Sequence, residues 1–220
     1  MKKTGFLIAA GLLVVVLAVF ATLVLRQAET SKSDLPVYGD VPEFIFTNQD
    51  GQPFGRAQLL GKVSVVDFIF TRCKSACPIM GREMSALYRA YEGTNDLQFV
   101  SITVDPDYDT LAVLKAYAES HGVNDDRWQF LHTSVENVVD LSENGFMLAA
   151  DRLPMGHSTK FALVDREGRI RGYYNALDEK PMAVIRGQIN QLLQESWNAP
   201  EMPAKSAQTA AGDPKPLALK

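Results

Sequence analysis

Two stretches of this chain are suited to an interior. Lys62-Val-Ser-Val-Val-Asp-Phe-Ile-Phe70 and Leu97-Gln-Phe-Val-Ser-Ile-Thr-Val104 are rich in β-branched and aromatic residues, and each reads as a buried strand. Between them Ile79, Met80, Glu83, Met84, Leu87, Tyr88 and Tyr91 recur at helical spacing behind Pro78, and Gly93 stops the run. Residues 110–120 form a second helical segment ended near Gly122, 128–132 a third strand and 135–146 a further helix. Residues 41–46 and 51–54 read as a short strand and turn punctuated by Asn48-Gln-Asp-Gly51. Residues 160–164 and 169–174 flank the turn Asp165-Arg-Glu-Gly168 as a hairpin, and 181–197 closes the domain as a helix. The order βαβα followed by ββα predicts an α/β fold, a mostly parallel sheet flanked by helices with an antiparallel hairpin at its end. Ligands of such sheets bind beyond the carboxyl ends of the strands.

Residues 6–25, FLIAAGLLVVVLAVFATLVL, carry no charge. As a helix this run spans about 30 Å, the thickness of a bilayer's hydrocarbon core. It exceeds the usual apolar region of a cleaved signal peptide, and no clear A-x-A site follows it. A single uncleaved transmembrane helix is therefore expected, and no cysteine follows it to carry a lipoprotein anchor. Lys2 and Lys3 keep residues 1–5 in the cytoplasm and send the rest across a bacterial inner membrane into the periplasm. Residues 26–40 are a polar tether, 41–197 one folded domain and 198–220 a disordered tail. The net charge of −4 and the absence of a Lys/Arg cluster argue against nucleic-acid binding.

Cys73 and Cys77, the only cysteines, lie just after the first buried strand, in Arg72-Cys-Lys-Ser-Ala-Cys-Pro78. A C-x-x-x-C pair closes a disulfide, holds a soft metal or works as a redox couple. The first turn of a helix presents free N–H groups and a positive dipole, so Cys77 is expected to have a depressed pKa. A sulfur pair selects Cu(I), zinc or an iron–sulfur cluster over magnesium or calcium, but two thiolates leave the shell incomplete. His157, in the turn-rich Leu153-Pro-Met-Gly-His-Ser158, stands before a hairpin strand. It is either a third ligand folded over the cysteines or a hydrogen-bonded surface histidine. His121 ends a helix, where the dipole favours a cation, and His132 ends a strand; both read as structural. Met80 and Met84 read as core packing, which leaves Met155 as the methionine worth testing near the site. Asp105 and Asp107 beside Pro106 read as turn chemistry.

Several stretches together resemble the Sco/SenC copper chaperones, which assist assembly of the copper centre of cytochrome c oxidase. Val66-Asp-Phe-Ile-Phe-Thr-Arg-Cys-Lys-Ser-Ala-Cys-Pro78 is similar to the family's strand and metal loop, and Phe99-Val-Ser-Ile-Thr-Val-Asp-Pro-Asp-Tyr-Asp-Thr110 to its second strand. Gly156-His-Ser158 with Phe161-Ala-Leu-Val-Asp165 is similar to its histidine loop and hairpin. Two positions depart from the pattern: the family often has an acidic residue where Gly156 stands, and proline where Leu111 follows Thr110. The resemblance implies a thioredoxin-like fold and one copper held by Cys73, Cys77 and His157, as Cu(I), with Cu(II) left open as a second state. It implies a carrier, not an enzyme, that is held to the membrane by residues 6–25 and passes copper to the oxidase subunit carrying the copper centre. Oxidation of Cys73 and Cys77 to a redox-active disulfide is the off state, reset by a periplasmic thiol reductant. The alternative is a thiol–disulfide oxidoreductase that keeps that subunit's cysteines reduced. Thioredoxin-type exchange normally uses C-x-x-C, so the extra residue favours metal. A purely structural bridge over so short a loop stabilises little.

Overall fold

The computed structural model describes residues 12–22, 33–195 and 197. Eight strands make one sheet: β1 (Gly39–Asp40), β2 (Ile45–Asn48), β3 (Pro53–Gly55), β4 (Val63–Ile69), β5 (Leu97–Thr103), β6 (Trp128–His132), β7 (Lys160–Val164) and β8 (Arg169–Asn175), in the spatial order β1-β8-β7-β4-β5-β6-β2-β3. The central three, β4, β5 and β6, are parallel, and antiparallel strands flank them on both sides. From residue 33 onward the α-helices are α1 (Arg56–Leu59), α2 (Cys77–Ala90), α3 (Leu111–Ser120), α4 (Val135–Asp140) and α5 (Glu179–Gln194). The α/β class with helices flanking the sheet and the hairpin at 160–175 are as expected, but the sheet is not mostly parallel. Of its seven strand pairings only β4–β5 and β5–β6 are parallel, because β2, β3, β7 and β8 join through short reversing connections and β1 adds antiparallel to β8.

Every residue of β4 and β5 is buried, because both faces of the sheet are covered. On one face Val65, Ile69 and Phe99 meet Met80, Met84 and Leu87 of α2, Leu114 and Ala118 of α3, and Met182, Ile185 and Ile189 of α5. On the other, Val66, Phe68 and Val100 meet Val138, Leu141 and Phe146. α2 ends at Ala90 with Tyr91 as its cap, and Gly93, at φ +80°, supplies the left-handed conformation of the turn that follows.

Three boundaries differ from the sequence reading. The first strand pairs are 39–40 and 45–48 instead of 41–46, since Gly39–Asp40 joins β8 while Ile45–Asn48 pairs with β3 and β6. The helix expected over 135–146 changes at Asp140 into a π-helical turn, Leu141–Gly145, where Leu141 and Phe146 both reach the core. The last helix stops at Gln194 because Arg166 takes its terminal carbonyls, donating to Leu192 O at 3.2 Å and Glu195 O at 2.8 Å.

Residues 12–22 are helical and their large apolar side chains are exposed. Among the described residues no helix is long and apolar enough to cross a membrane. The remainder of the expected 6–25 anchor, residues 1–5, tether residues 26–32 and the tail 198–220 lie outside the described residues.

Residues 33–38 are bound to the domain. Arg171, buried beside Asp165 at 2.7 Å, donates to Leu35 O at 2.7 Å, Ser33 Oγ at 3.0 Å and Pro36 O at 3.2 Å. The Ser33 N–H donates to Glu195 Oε1 at 2.7 Å. Since β7 runs antiparallel to β4, with Val164 opposite Ser64, this clasp lies at the pole where the parallel strands begin.

Asp67, at the middle of β4, is 1% exposed. Its Oδ1 accepts from Ser101 Oγ at 2.6 Å, while Oδ2 has no hydrogen-bond partner among the described residues. Burial raises its pKa to about 7, against the lowering effect of the Ser101 bond. Because the folded value lies above the unfolded one, this group's contribution to stability is complete below about pH 4 and lost as pH rises to about 7. Asp67→Asn cannot ionise. Urea unfolding is expected to show its stability rising relative to the parent between about pH 4 and 7, by on the order of 4 kcal/mol at most. A difference independent of pH would show that the carboxyl ionises in the fold without cost.

Candidate metal centre

The chain leaves the sheet at the carboxyl end of β4, where the Val104 N–H still donates to Ile69 O at 2.8 Å. Phe70 remains in the core, the Cys73 N–H donates to Phe70 O at 3.3 Å, and α2 starts at Cys77 with Pro78 in its first turn. Both cysteines are free thiols. Cys77 is 1% exposed and packs in the same apolar cluster as Phe68 and Phe70, whereas Cys73 is half-buried at its edge.

This difference in burial reverses one expectation. The α2 helix does begin at Cys77, yet the Cys77 thiol is pushed up to about 12. Burial is the main cause, opposed by a backbone hydrogen bond at Phe70 and reinforced by Cys73 and by the negative charge of Asp67. Cys73 is instead drawn down to about 7. Burial acts to raise it, but the Ser75 hydroxyl, the backbone N–H groups of Cys77 and Ser75, and the Cys77 thiol outweigh that cost. The free amides of the helix start therefore serve the sulfur outside the helix, not the one within it.

His157 comes to the same pole from the other side of β4. Its loop is closed by a bridge between Ala150 and His157, and its ring meets Phe70 edge-on, with centroids 5.5 Å apart. Nδ1 lies 3.0 Å from Ser158 O; a carbonyl only accepts, so Nδ1 carries the proton and Nε2 is left with its lone pair. Burial lowers the pKa of the ring, which keeps it neutral. Nε2 faces Cys77 Sγ at 3.6 Å. Two donors at about 2.3 Å (sulfur) and 2.0 Å (nitrogen) from one ion, at angles of about 110–120°, stand about that far apart. A buried neutral imidazole whose other nitrogen donates to a backbone carbonyl is the usual preparation of a histidine ligand.

Cys73 Sγ lies 3.5 Å from Ser75 Oγ. Among the described residues no group of three or more His, Cys, Asp and Glu side chains is closed around a position for a metal ion. The soft S, S, N donor set fits copper.

Gly156 has a local reason for its departure from an acidic residue. A Cβ there would stand 1.4 Å from Asp151 O, so this loop conformation admits only glycine. The leucine after Thr110 is equally accommodated: Thr110 caps α3, accepting from the Val113 N–H at 3.4 Å, and Leu111 takes the first helical position.

His121 corrects a second expectation. It closes α3, but it is half-buried between Tyr117 and Trp128 with Nδ1 3.1 Å from Ser85 Oγ. Burial and nearby Arg89 lower its pKa, so it is held neutral despite the helix dipole. His132 Nε2 donates to Pro106 O at 3.1 Å. Met80 and Met84 are fully buried in the core, and Met155 is 73% exposed.

The carboxylates that hold the Cys loop were missed by sequence reasoning. Asp109 accepts from the Thr71 hydroxyl and backbone N–H and from Thr103 Oγ1; Asp105 pairs with Arg72 at 2.6 Å. Their spacing as D-P-D-Y-D was visible, but only the fold brings them against residues 71 and 72.

The SCO1/SenC family model matches residues 38–194. The SCO1 protein homolog of Bacillus subtilis (strain 168) is 31% identical over 152 residues, which cover 66% of this chain and 79% of that protein. Among solved structures, BsSco, described as a member of the Sco family of cytochrome c oxidase assembly proteins with a disulfide switch, superposes with a TM-score of 0.66 at 28% identity, covering 74% of this chain and 98% of that one. Bradyrhizobium japonicum ScoI with copper bound superposes at 0.57 with 25% identity, covering 67% and 98%.

The unequal thiols are open to test on reduced, metal-free protein. Iodoacetamide is expected to alkylate Cys73 first, at a rate that climbs as pH passes about 7, with Cys77 unmodified until the chain unfolds. Peptide mass spectrometry reads the order, and preferential modification of Cys77 would contradict the assignment.

Proposed function

The chain belongs to the SCO1/SenC family, and from that premise we propose that it is a copper chaperone for cytochrome c oxidase, binding copper as cargo through Cys73, Cys77 and His157. The observation that carries this reading is the pairing of Cys77 Sγ with the unprotonated Nε2 of His157 at 3.6 Å, beside a second sulfur of low pKa. Membership of BsSco in a family of oxidase assembly proteins and the copper in ScoI support it.

Copper supplies a soft cation, and the remaining chemistry belongs to the chain. Cys73 is half-exposed and close to ionised at neutral pH, so it is the first donor to meet an incoming ion. Cys77 releases its proton only as the metal replaces it, which makes binding proton-coupled. His157 enters without losing a proton, since Nε2 already carries a lone pair. Three donors grip the ion while leaving it open to a client's ligands. Oxidation joins the two sulfurs, removing two electrons and two protons, and abolishes the site until a thiol reductant restores it. In the full reading the 6–25 run anchors the chain in the inner membrane with the domain in the periplasm, and the client is the oxidase subunit carrying the copper centre.

One observation favours a second reading. An accessible sulfur of pKa about 7 beside a buried one of about 12 is also the arrangement of an attacking and a resolving cysteine, which suits a thiol–disulfide reductase acting on the same subunit.

Titration of the reduced full chain with Cu(I) against a competing chelator separates the two. One tight copper is expected, lost in Cys73→Ser and in Cys77→Ser and weakened more than about tenfold in His157→Ala, a cost above ~1.4 kcal/mol. Parent-like binding by His157→Ala would remove the three-donor site. Rapid exchange with a disulfide substrate, unchanged by His157→Ala and accompanied by weak copper binding, would establish the reductase instead.

A further inference from the structure

Asp109 is fully buried, at 0% exposure, and among the described residues no cation forms a salt bridge with it, Arg72 acting on it only through its nearby charge. A carboxylate in that position is costly unless its oxygens are satisfied. Thr71 Oγ1 donates to Oδ1 at 2.5 Å, the Thr71 N–H to Oδ2 at 3.1 Å, and Thr103 Oγ1 to Oδ2 at 2.5 Å. These are charge-assisted bonds, the strong class. The plain alternative is that Asp109 only shapes its own turn. That turn is already closed by its backbone, with the N–H groups of Tyr108 and Asp109 donating to Asp105 O at 3.0 and 2.9 Å. Both carboxylate oxygens are therefore directed at other elements: Thr103 at the end of β5, and Thr71 two residues before Cys73.

The other restraints on the Cys loop lie at Arg72 and within the loop itself, where the Cys73 sulfur meets Ser75 at 3.5 Å. Arg72 is tied to Asp105 by two bonds, at 2.6 and 3.1 Å, and its guanidinium lies over Tyr108, 4.7 Å from the ring centre. Beyond it, the Cys73 N–H reaches Phe70 O at 3.3 Å, and no side chain caps the start of α2. Thr71, with Arg72 beside it, therefore sets where the chain enters the turn that carries Cys73.

We propose that Asp109 is a positioning residue of the metal loop: acting through Thr71, it holds the loop in the open dithiol form from which Cys73, Cys77 and His157 take up one Cu(I). The copper part of this inference rests on the function proposed above. On this proposal the clasp, seen here with both thiols free, is given up when the disulfide forms, so its loss destabilises the dithiol and favours oxidation. In that oxidation the Cys73–Cys77 S–S bond forms while glutathione disulfide takes two electrons and two protons and is cleaved to two glutathione molecules.

The test uses the full chain as Thr71→Val, Thr71→Ser and Asp109→Asn, with Arg166→Ala as a variant destabilised at the opposite pole. Two quantities are read: Cu(I) affinity by chelator competition, and the metal-free dithiol–disulfide midpoint in glutathione buffers. Thr71→Val and Asp109→Asn are expected to bind Cu(I) about tenfold more weakly. Their midpoints are expected to shift to more negative values by about 30 mV, a tenfold change for a two-electron couple. Thr71→Ser, which keeps the hydroxyl, retains the parent values, and Arg166→Ala lowers the melting temperature without changing either quantity. Parent-like affinity and midpoint in Thr71→Val would overturn the proposal, and that isosteric variant decides even where Asp109→Asn does not fold. Equal losses in Arg166→Ala for an equal drop in melting temperature would also overturn it. A parent chain that takes up no Cu(I) defeats the copper reading alone, because the midpoints still decide whether Asp109 holds the loop open.

Discussion

Seven consecutive residue pairs, from Val63 opposite Leu97 to Ile69 opposite Thr103, join β4 and β5 in parallel. Parallel pairing brings both strands to an end at the same height, so the segments that leave them must run side by side. This places Thr71 within reach of Asp109 and Arg72 within reach of Asp105. Because β7 runs antiparallel to β4 on its other side, the residues before β7, His157 among them, arrive at that same level. The meeting of Cys77 and His157, 80 positions apart, is a consequence of strand direction more than of any local preference.

The two sulfurs then diverge for simple reasons of solvent. Cys77 faces the apolar layer with Phe68 and Phe70, and a thiolate there loses its hydration. Cys73, one helical turn earlier, collects the amides that the first turn of α2 leaves free. A helix start stabilises whichever anion lies in front of it, and the residue that opens the helix is not in front.

The strongly patterned segments were legible in the sequence. The strands 63–69, 97–103 and 128–132, the helix behind Pro78 and the hairpin at 160–175 all arise from local periodicity and turn chemistry. Gly39–Asp40 was not, since a two-residue strand has no period and exists only because β8 offers an edge. The π-helical turn at 141–145 was hidden because its apolar residues also suit an α-helix. His121 and Cys77 were assigned their electrostatics from position in a helix, whereas burial outweighed the dipole in both. From spacing alone His157 stayed one option among several, and resemblance singled it out. Asp109 drew no reading of its own from the sequence, because its partners, Thr71 and Thr103, are brought to it only by the sheet.

Arg171 secures residues 33–36 at the pole where β4 begins, and the cysteines lie past the pole where β4 ends. The domain thus has a root and a tip, separated by about 23 Å of strand. Any swivel of the domain about its root moves the cysteines along an arc of at least that radius. A protein held at residue 33 would in this way sweep its Cys loop over a broad cap of surface, with a reach set by the length of the domain and not by the length of the loop.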